Sequence, residues 1–193
     1  MKFRCERDAL VEQLSTASRA VSSRGGALPV LTGIHLKAHK ETLTMTGSDL
    51  EITVRASVAV DVKESGEAVL PSRIVVDIIR SLDSGAVEVE VSGEEAKISG
   101  GRSQFSVRTL PVDDFPALSD PSGDQVTVAT ADLAAGLKQV VRAASGDDAR
   151  PILTGVLMSA EDGGLRLVAT DSYRLAVRDL PEATVLSEGQ KVL

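Results

Sequence analysis

Paired carboxylates, two histidines and one thiol are the residues of this chain whose types could support chemistry. Asp113 and Asp114 stand side by side, and hard cations such as Mg²⁺ prefer carboxylate oxygens. Pro111 and Pro116 enclose the pair, however, and proline fixes the chain where Asp favours turns, so the segment reads as a linker or turn. Of the histidines, His35 falls on the polar face of an alternating stretch and His39 beside a hairpin turn, where solvated surface is expected. Asp49 and Asp171 recur in the contexts Gly47-Ser48-Asp49 and Ala169-Thr170-Asp171; a repeated Asp in a repeated turn is expected to bond nearby backbone N–H groups. Cys5, the one cysteine, can make neither an internal disulfide nor a multi-cysteine metal site and reads as a small buried residue of a first strand. The phosphate-binding, zinc-protease and nucleophile-elbow motifs GxxxxGK[ST], GxGxxG, HExxH and GxSxG are absent. No catalytic residue, metal or cofactor is therefore expected. The enzyme alternative is a Mg²⁺-dependent hydrolase or nuclease built on Asp113, Asp114 or Asp171.

The elements that must position these residues are set by a repeat. The segment from Pro29 aligns without a gap on the segment from Pro151, matching Pro29, Leu31, Thr32, Gly33, Leu43 and Asp49 to Pro151, Leu153, Thr154, Gly155, Leu165 and Asp171. Upstream, Leu10, Leu14 and Ser22 match Leu133, Leu137 and Ser145 with one residue dropped between. A weaker repeat inside the first unit lays Glu41, Gly47, Val54 and Arg55 on Glu94, Gly100, Val107 and Arg108. Helical spacing of Leu10, Leu14, Ala17 and Val21, of Val75, Ile78, Ile79 and Leu82, and of Leu133, Leu137, Val140 and Ala144 predicts amphipathic helices over 7–21, 71–82 and 131–144. Alternating stretches between them, with hairpin turns at Gly100-Gly101 and Gly163-Gly164, predict antiparallel strands with one wet face. Each half-unit reads strand, helix, three strands, giving an α+β fold. Domain 1 is expected over 1–121, with 122–193 the N-terminal part of domain 2. The alignment sets Glu188–Leu193 on Ser65–Leu70, just before a second helix is due, so the chain reads as a fragment of a longer protein.

Charge and composition exclude further classes. The chain has 193 residues, 42% of them hydrophobic and 25% charged, which is enough apolar material for packed domains and argues against disorder. No apolar run approaches the roughly 18–20 residues that span a bilayer, and Met1–Asp8 lacks an apolar signal-peptide core, so a cytoplasmic protein is expected. With 21 basic and 28 acidic side chains the net charge is −7, unfavourable for coating nucleic acid by bulk attraction. Phe3, Phe105, Phe115 and Tyr173 are too few aromatics to stack successive bases. The predicted helices run against this balance: Arg7, Arg19, Arg73, Arg80, Lys138 and Arg142 outnumber Asp8, Glu12, Asp77 and Asp132. Basic helices on an acidic sheet body suit helices that face a polyanion; ordinary solvated faces are the alternative.

Five motifs then point to a family. Met1-Lys2-Phe3, Leu28–Gly33, Ser48–Glu51, Leu110–Pro116 and Ala169–Ala176, in this order and spacing, resemble the bacterial DNA polymerase III beta subunit, the sliding clamp. The resemblance implies the DNA clamp fold, three such domains per chain, and a head-to-tail homodimer closed into a ring around double-stranded DNA, helices inside and sheets outside. It implies a non-catalytic processivity factor that slides through sequence-independent phosphate contacts. The replicative DNA polymerase, the clamp loader and repair proteins would bind by short linear peptides in a pocket whose share here is Leu153, Thr170, Ser172, Tyr173, Arg174 and Leu175. Ser172-Tyr173 departs from the glycine-histidine of the best-known pattern. DNA contacts map to Arg24, Arg73, Arg80, Lys138, Arg142 and Arg150, with Pro151 and Ile152 standing where some members present aromatics. The ring-closing edge maps to the strand carrying Phe105 and Val107. The alternative is a protein-interaction scaffold of the same fold that does not encircle DNA.

Overall fold

Leu10, Leu14 and Ala17 line one stripe of the helix α1 (Arg7–Ala17), and all three are buried. The computed structural model describes residues 1–22, 28–118, 127–161, 164–180 and 191–192. A 3-10 turn, Ser18–Ala20, follows α1, so the helix predicted over 7–21 is α-helical only to Ala17. Likewise α2 spans Ser72–Ser81, and α3 (Thr130–Val140) tightens into a 3-10 turn over Val141–Ala143. Such turns reuse carbonyls that a helix end leaves unpaired.

The chain divides into two compact units, Met1–Leu118 and Ser119–Leu193. In the first, the strands are β1 (Lys2–Glu6), β2 (Gly33–His39), β3 (Thr42–Ser48), β4 (Thr53–Ala59), β5 (Asp61–Glu64), β6 (Gly66–Pro71), β7 (Ala86–Ser92), β8 (Glu95–Gly100) and β9 (Ser103–Arg108). They form two antiparallel sheets, ordered β4-β3-β2-β6 and β5-β1-β7-β8-β9. The half-unit of strand, helix and three strands is present twice, with one addition. After β4 the chain turns at the buried Val60 and continues as β5, which leaves the first sheet to pair with β1 in the second. Phe3 and Cys5 of β1, Leu14 of α1, Ile79 of α2, Met45 of β3 and Ile98 of β8 belong to one buried core shared by both sheets and both helices. Burial pushes the Cys5 thiol pKa up, in keeping with an inert core position.

The second unit repeats the pattern with α3 on a sheet ordered β12-β11-β10-β13, formed by β10 (Leu157–Glu161), β11 (Gly164–Thr170), β12 (Leu175–Leu180) and β13 (Lys191–Val192). Val140 and Leu167 are fully buried between helix and sheet. Val192 pairs with Met158, where the first unit pairs Ala68 with Leu36. The sequence alignment had set Lys191 rather than Val192 on Ala68, so the register corrects it by one residue. Among the described residues no helix is long and apolar enough to cross a membrane.

Helices α1 and α3 each approach their sheet closely through a glycine, but from opposite sides. In the first unit a Cβ on Gly47 of β3 would collide with the Ala17 carbonyl oxygen of α1. In the second the glycine is Gly136 of α3, where a Cβ would lie 2.9 Å from Leu167 Cδ1, and Ala169 occupies the place of Gly47. Gly47→Ala must therefore push backbone apart, whereas a flexible side chain faces Gly136. We expect Gly47→Ala to lower stability by about 1–3 kcal/mol, read from the urea midpoint at unchanged slope. Gly136→Ala should cost less.

Candidate functional site

The expected pocket residues fall on two segments of the second unit that Arg150 links through its bond to Ser172. Leu153 closes the 3-10 turn Pro151–Leu153, Thr170 ends β11, Ser172, Tyr173 and Arg174 form the following turn, and Leu175 opens β12. The turn is built by Asp171. Its Oδ1 accepts from the backbone N–H groups of Tyr173 and Arg174, both at 3.0 Å, and its Oδ2 from Arg174 Nε at 2.9 Å. The backbone N–H of Arg174, then that of Tyr173, hold the carboxyl below the usual aspartate range. Thr170 Oγ1 donates to the Arg174 carbonyl at 2.7 Å and accepts from Ser172 N–H at 3.1 Å. Ser172 adopts φ +79°, a left-handed conformation that costs a non-glycine residue about 1–3 kcal/mol and is paid back by these bonds.

The first unit contains the same turn. Asp49 Oδ1 accepts from Glu51 and Ile52 N–H at 3.0 and 2.7 Å, Ser48 Oγ accepts from Leu50 N–H at 3.1 Å, and Leu50 has φ +78°. The structural role expected for both aspartates is thus the observed one.

What differs is the surface. Tyr173 is 94% exposed, Ile152 69% and Leu175 65%, and Val177, two residues along β12, is 49% exposed. The first unit has Thr53 and Arg55 where Leu175 and Val177 stand. Val177 and Ile152 were not among the expected pocket residues. Alternation of Leu175 and Val177 on an edge strand was legible, but sequence cannot tell an exposed apolar face from a buried one. Arg150, expected to contact DNA, reaches this turn: Nη1 donates to Ser172 Oγ at 3.3 Å while Nε pairs with Asp147 at 3.2 Å.

The other expected residues are placed as follows. Arg73 and Arg80 are exposed on α2, with Arg80 Nη2 donating to Ser15 Oγ of α1 at 3.3 Å; Lys138 is exposed on α3 and Arg142 on the 3-10 turn after it. Arg24 lies outside the described residues. β9 is the last strand of its sheet, and Phe105 is partly exposed on it. Val107 turns its side chain into the core, so at this edge it can offer a partner only its backbone. His35 is not the solvated residue expected. Its side chain is only 18% exposed, with Nε2 3.1 Å from Glu67 Oε2 and its ring stacked on Phe115. Lys37, then His35, hold the Glu67 carboxyl below its ordinary range. Asp113 and Asp114 are exposed in a 3-10 turn, and among the described residues no cluster of three or more His, Cys, Asp or Glu could hold a metal ion.

Comparison with known proteins decides the family. Residues 1–119 match the DNA polymerase III beta subunit N-terminal domain, and residues 127–193 match its central domain. The chain belongs to the DNA polymerase III beta subunit family. It is 38% identical over 179 residues to the beta sliding clamp of Streptomyces coelicolor, covering 93% of this chain and 47% of that protein. The crystal structure of the DNA polymerase III subunit beta from Pseudomonas aeruginosa superposes with a TM-score of 0.92 at 32% identity, over 100% of this chain and 53% of that one. A structure of the sliding clamp from the same organism bound to griselimycin gives 0.87 at 33% identity, over 93% and 49%. The chain spans about half the length of the curated relatives it matches.

Because the folded Asp171 carboxyl titrates below its unfolded value, its contribution is complete above the ordinary aspartate pKa and is lost as pH falls through the lowered one. Amide exchange at Tyr173 and Arg174, corrected for intrinsic pH dependence, should therefore lose protection in acid. Asp171→Ala should remove that protection at neutral pH while the β11 amides stay protected.

Proposed function

We propose that this chain is part of a DNA sliding clamp, a non-catalytic processivity factor acting in the cytoplasm. In this reading residues 1–121 and 122–193 belong to its first and second domains. Two copies of the complete subunit close head to tail around double-stranded DNA, and the open edge of β9 with Phe105 contributes to the closure. The observation that carries the reading is the likeness to clamp structures over the whole chain, at a TM-score of 0.92.

The exposed cations Arg73, Arg80, Lys138 and Arg142 suit transient phosphate contacts, because isolated charges on a body of net charge −7 attract DNA locally without fixing it. Arg24 and Arg150 are assigned the same role, Arg150 with a second one in steadying the Ser172 turn. Leu153, Thr170, Ser172, Tyr173, Arg174 and Leu175, extended by Ile152 and Val177, form one wall of a groove for short linear peptides of the replicative DNA polymerase, clamp loader and repair proteins. An aliphatic surface with an aromatic ring and a guanidinium at its rim suits an extended apolar peptide with a polar anchor. The griselimycin-bound relative supports ligand binding to a clamp of this kind.

The test uses the complete subunit loaded by its clamp loader onto nicked circular DNA and washed at high salt. Retention on circles and release on linearisation is the expected result, since salt removes phosphate binding but not topological linkage. Equal release from both forms would favour the scaffold that does not encircle DNA, as would unchanged loading by Lys138→Glu/Arg142→Glu. For the peptide wall, Leu175→Ser/Tyr173→Ala should weaken partner-peptide binding about tenfold or more in fluorescence anisotropy, with the melting transition retained.

A further inference from the structure

A cavity of about 510 Å³ opens in the first unit between the 3-10 turn that follows α1 and the start of α2. Ser18, Thr32 and Ser72 line it, together with Arg73, Asp77 and Arg80 of α2. These three α2 residues are spaced four and three apart, which sets them on one face of the helix. Two of the arginines assigned to DNA contact therefore share a cavity with several hydroxyl groups.

The hydroxyls are not equivalent. Ser18 Oγ donates to the Ser15 carbonyl and Thr32 Oγ1 to the Pro29 carbonyl, both at 2.8 Å, so their protons are already used. Ser72 is 6% exposed, yet its hydroxyl has no hydrogen-bond partner among the described residues. Buried hydroxyls ordinarily find one. Among the described residues the one side-chain polar atom both unpartnered and sealed from solvent is Arg7 Nε, so the Ser72 oxygen is not sealed and opens to the cavity it lines.

Other donors converge on the same place. Ser72 is the first residue of α2, a helix of 10 residues whose N-cap, Pro71, offers no side-chain bond. The first N–H groups of a helix lack partners within it, and its dipole adds partial positive charge there. The Arg73 side chain makes no ion pair or hydrogen bond among the described residues, while Arg80 is held by Ser15 Oγ. Asp77, the one acidic residue of the lining, pairs with neither arginine. Two guanidinium groups, an unused hydroxyl and uncapped N–H groups outweigh that carboxylate. Donors arriving from several directions suit a tetrahedral oxyanion better than a planar carboxylate.

We propose that this cavity seats one phosphate group, held by the Ser72 hydroxyl, the first N–H groups of α2 and the Arg73 guanidinium, with Asp77 keeping the hold weak. The seat stands on the cavity itself; a DNA backbone as the source of its phosphate rests on the sliding clamp reading. A weak seat suits a ring that slides, because each phosphate must leave as easily as it enters.

The probe is inorganic phosphate, exchanged for chloride at constant ionic strength and followed by the amide resonances of the isotope-labelled full chain. The Ser72, Arg73 and Ile74 amides should shift and saturate, while Asp132 and Leu133 at the start of α3 stay in place. Ser72→Ala, which removes no charge, should weaken binding about threefold or more, and Asp77→Asn should tighten it about twofold or more. Absence of a saturable shift, equal shifts at α2 and α3, or indifference to Ser72→Ala would overturn the seat. If Ser72→Ala does not melt cooperatively, Asp77→Asn decides: the seat confines the stronger response to Ser72–Ile74, and a response spread along α2 to Ser81 would overturn it. Dimethyl phosphate separates the sources. Movement of the same amides supports a phosphodiester of the DNA backbone, and movement by inorganic phosphate alone supports a free phosphate or a monoester. The clamp reading itself fails by equal release from circular and linear DNA, whichever way these titrations come out.

Discussion

A carboxylate that accepts from two consecutive backbone N–H groups can hold a tight turn in a conformation its residues would otherwise avoid. Asp171 does this for Tyr173 and Arg174, and Asp49 does it for Glu51 and Ile52. Together with the Thr170 and Ser48 hydroxyl bonds beside them, these bonds offset the left-handed backbone at Ser172 and Leu50. The turn in turn fixes where β11 ends and β12 begins, and hence which side chains of β12 face the helix. Leu180 packs toward Gly136 of α3, while Leu175 and Val177 are left outward. The turn thus sets which positions of β12 face outward, and the residue types there, Leu175 and Val177 against Thr53 and Arg55 in the first unit, decide whether that surface is apolar.

The two units share one local framework and differ in the side chains placed on it. Both keep the prolyl 3-10 turn, its threonine hydroxyl bond and the aspartate turn. In the first unit three apolar side chains of the chain itself cover the aliphatic floor, and the outer strand positions are Thr53 and Arg55. In the second the floor residue Ile152 is bare and the outer positions are Leu175 and Val177.

The basic and acidic residues are also distributed by these constraints. Cross-strand positions on the wet faces pair: Lys2 lies between Glu88 and Glu90 at 2.8 and 2.9 Å, which holds its ammonium above the ordinary lysine range, and Arg166 pairs with Asp179. Such exposed pairs add little to stability. They do leave these particular strand charges mutually occupied, while Arg73, Lys138 and Arg142 stand exposed on or beside helices.

The three amphipathic helices, the antiparallel strands and the aspartate turns were legible in the sequence, because each follows from spacing within a few residues, and the repeat was legible because two distant stretches carry the same local pattern. The family was legible from motifs for the same reason. Helix ends were not: after Ala17 and Val140 the chain tightens into a 3-10 turn, which the apolar spacing does not distinguish from continued α-helix. Nor was the sheet change at Val60, since β4 and β5 are one continuous stretch in sequence and only the pairing with β1 separates them. Val107 and His35 illustrate the deeper limit. Alternation says that residues 105 and 107 share a face, but not that Val107 enters the core; it marks His35 as polar, but not that Phe115 will arrive to cover it from 80 positions away. Local chemistry is written along the chain. Which surface is covered and which stays open depends on contacts between distant segments, and those exist only once the fold has formed.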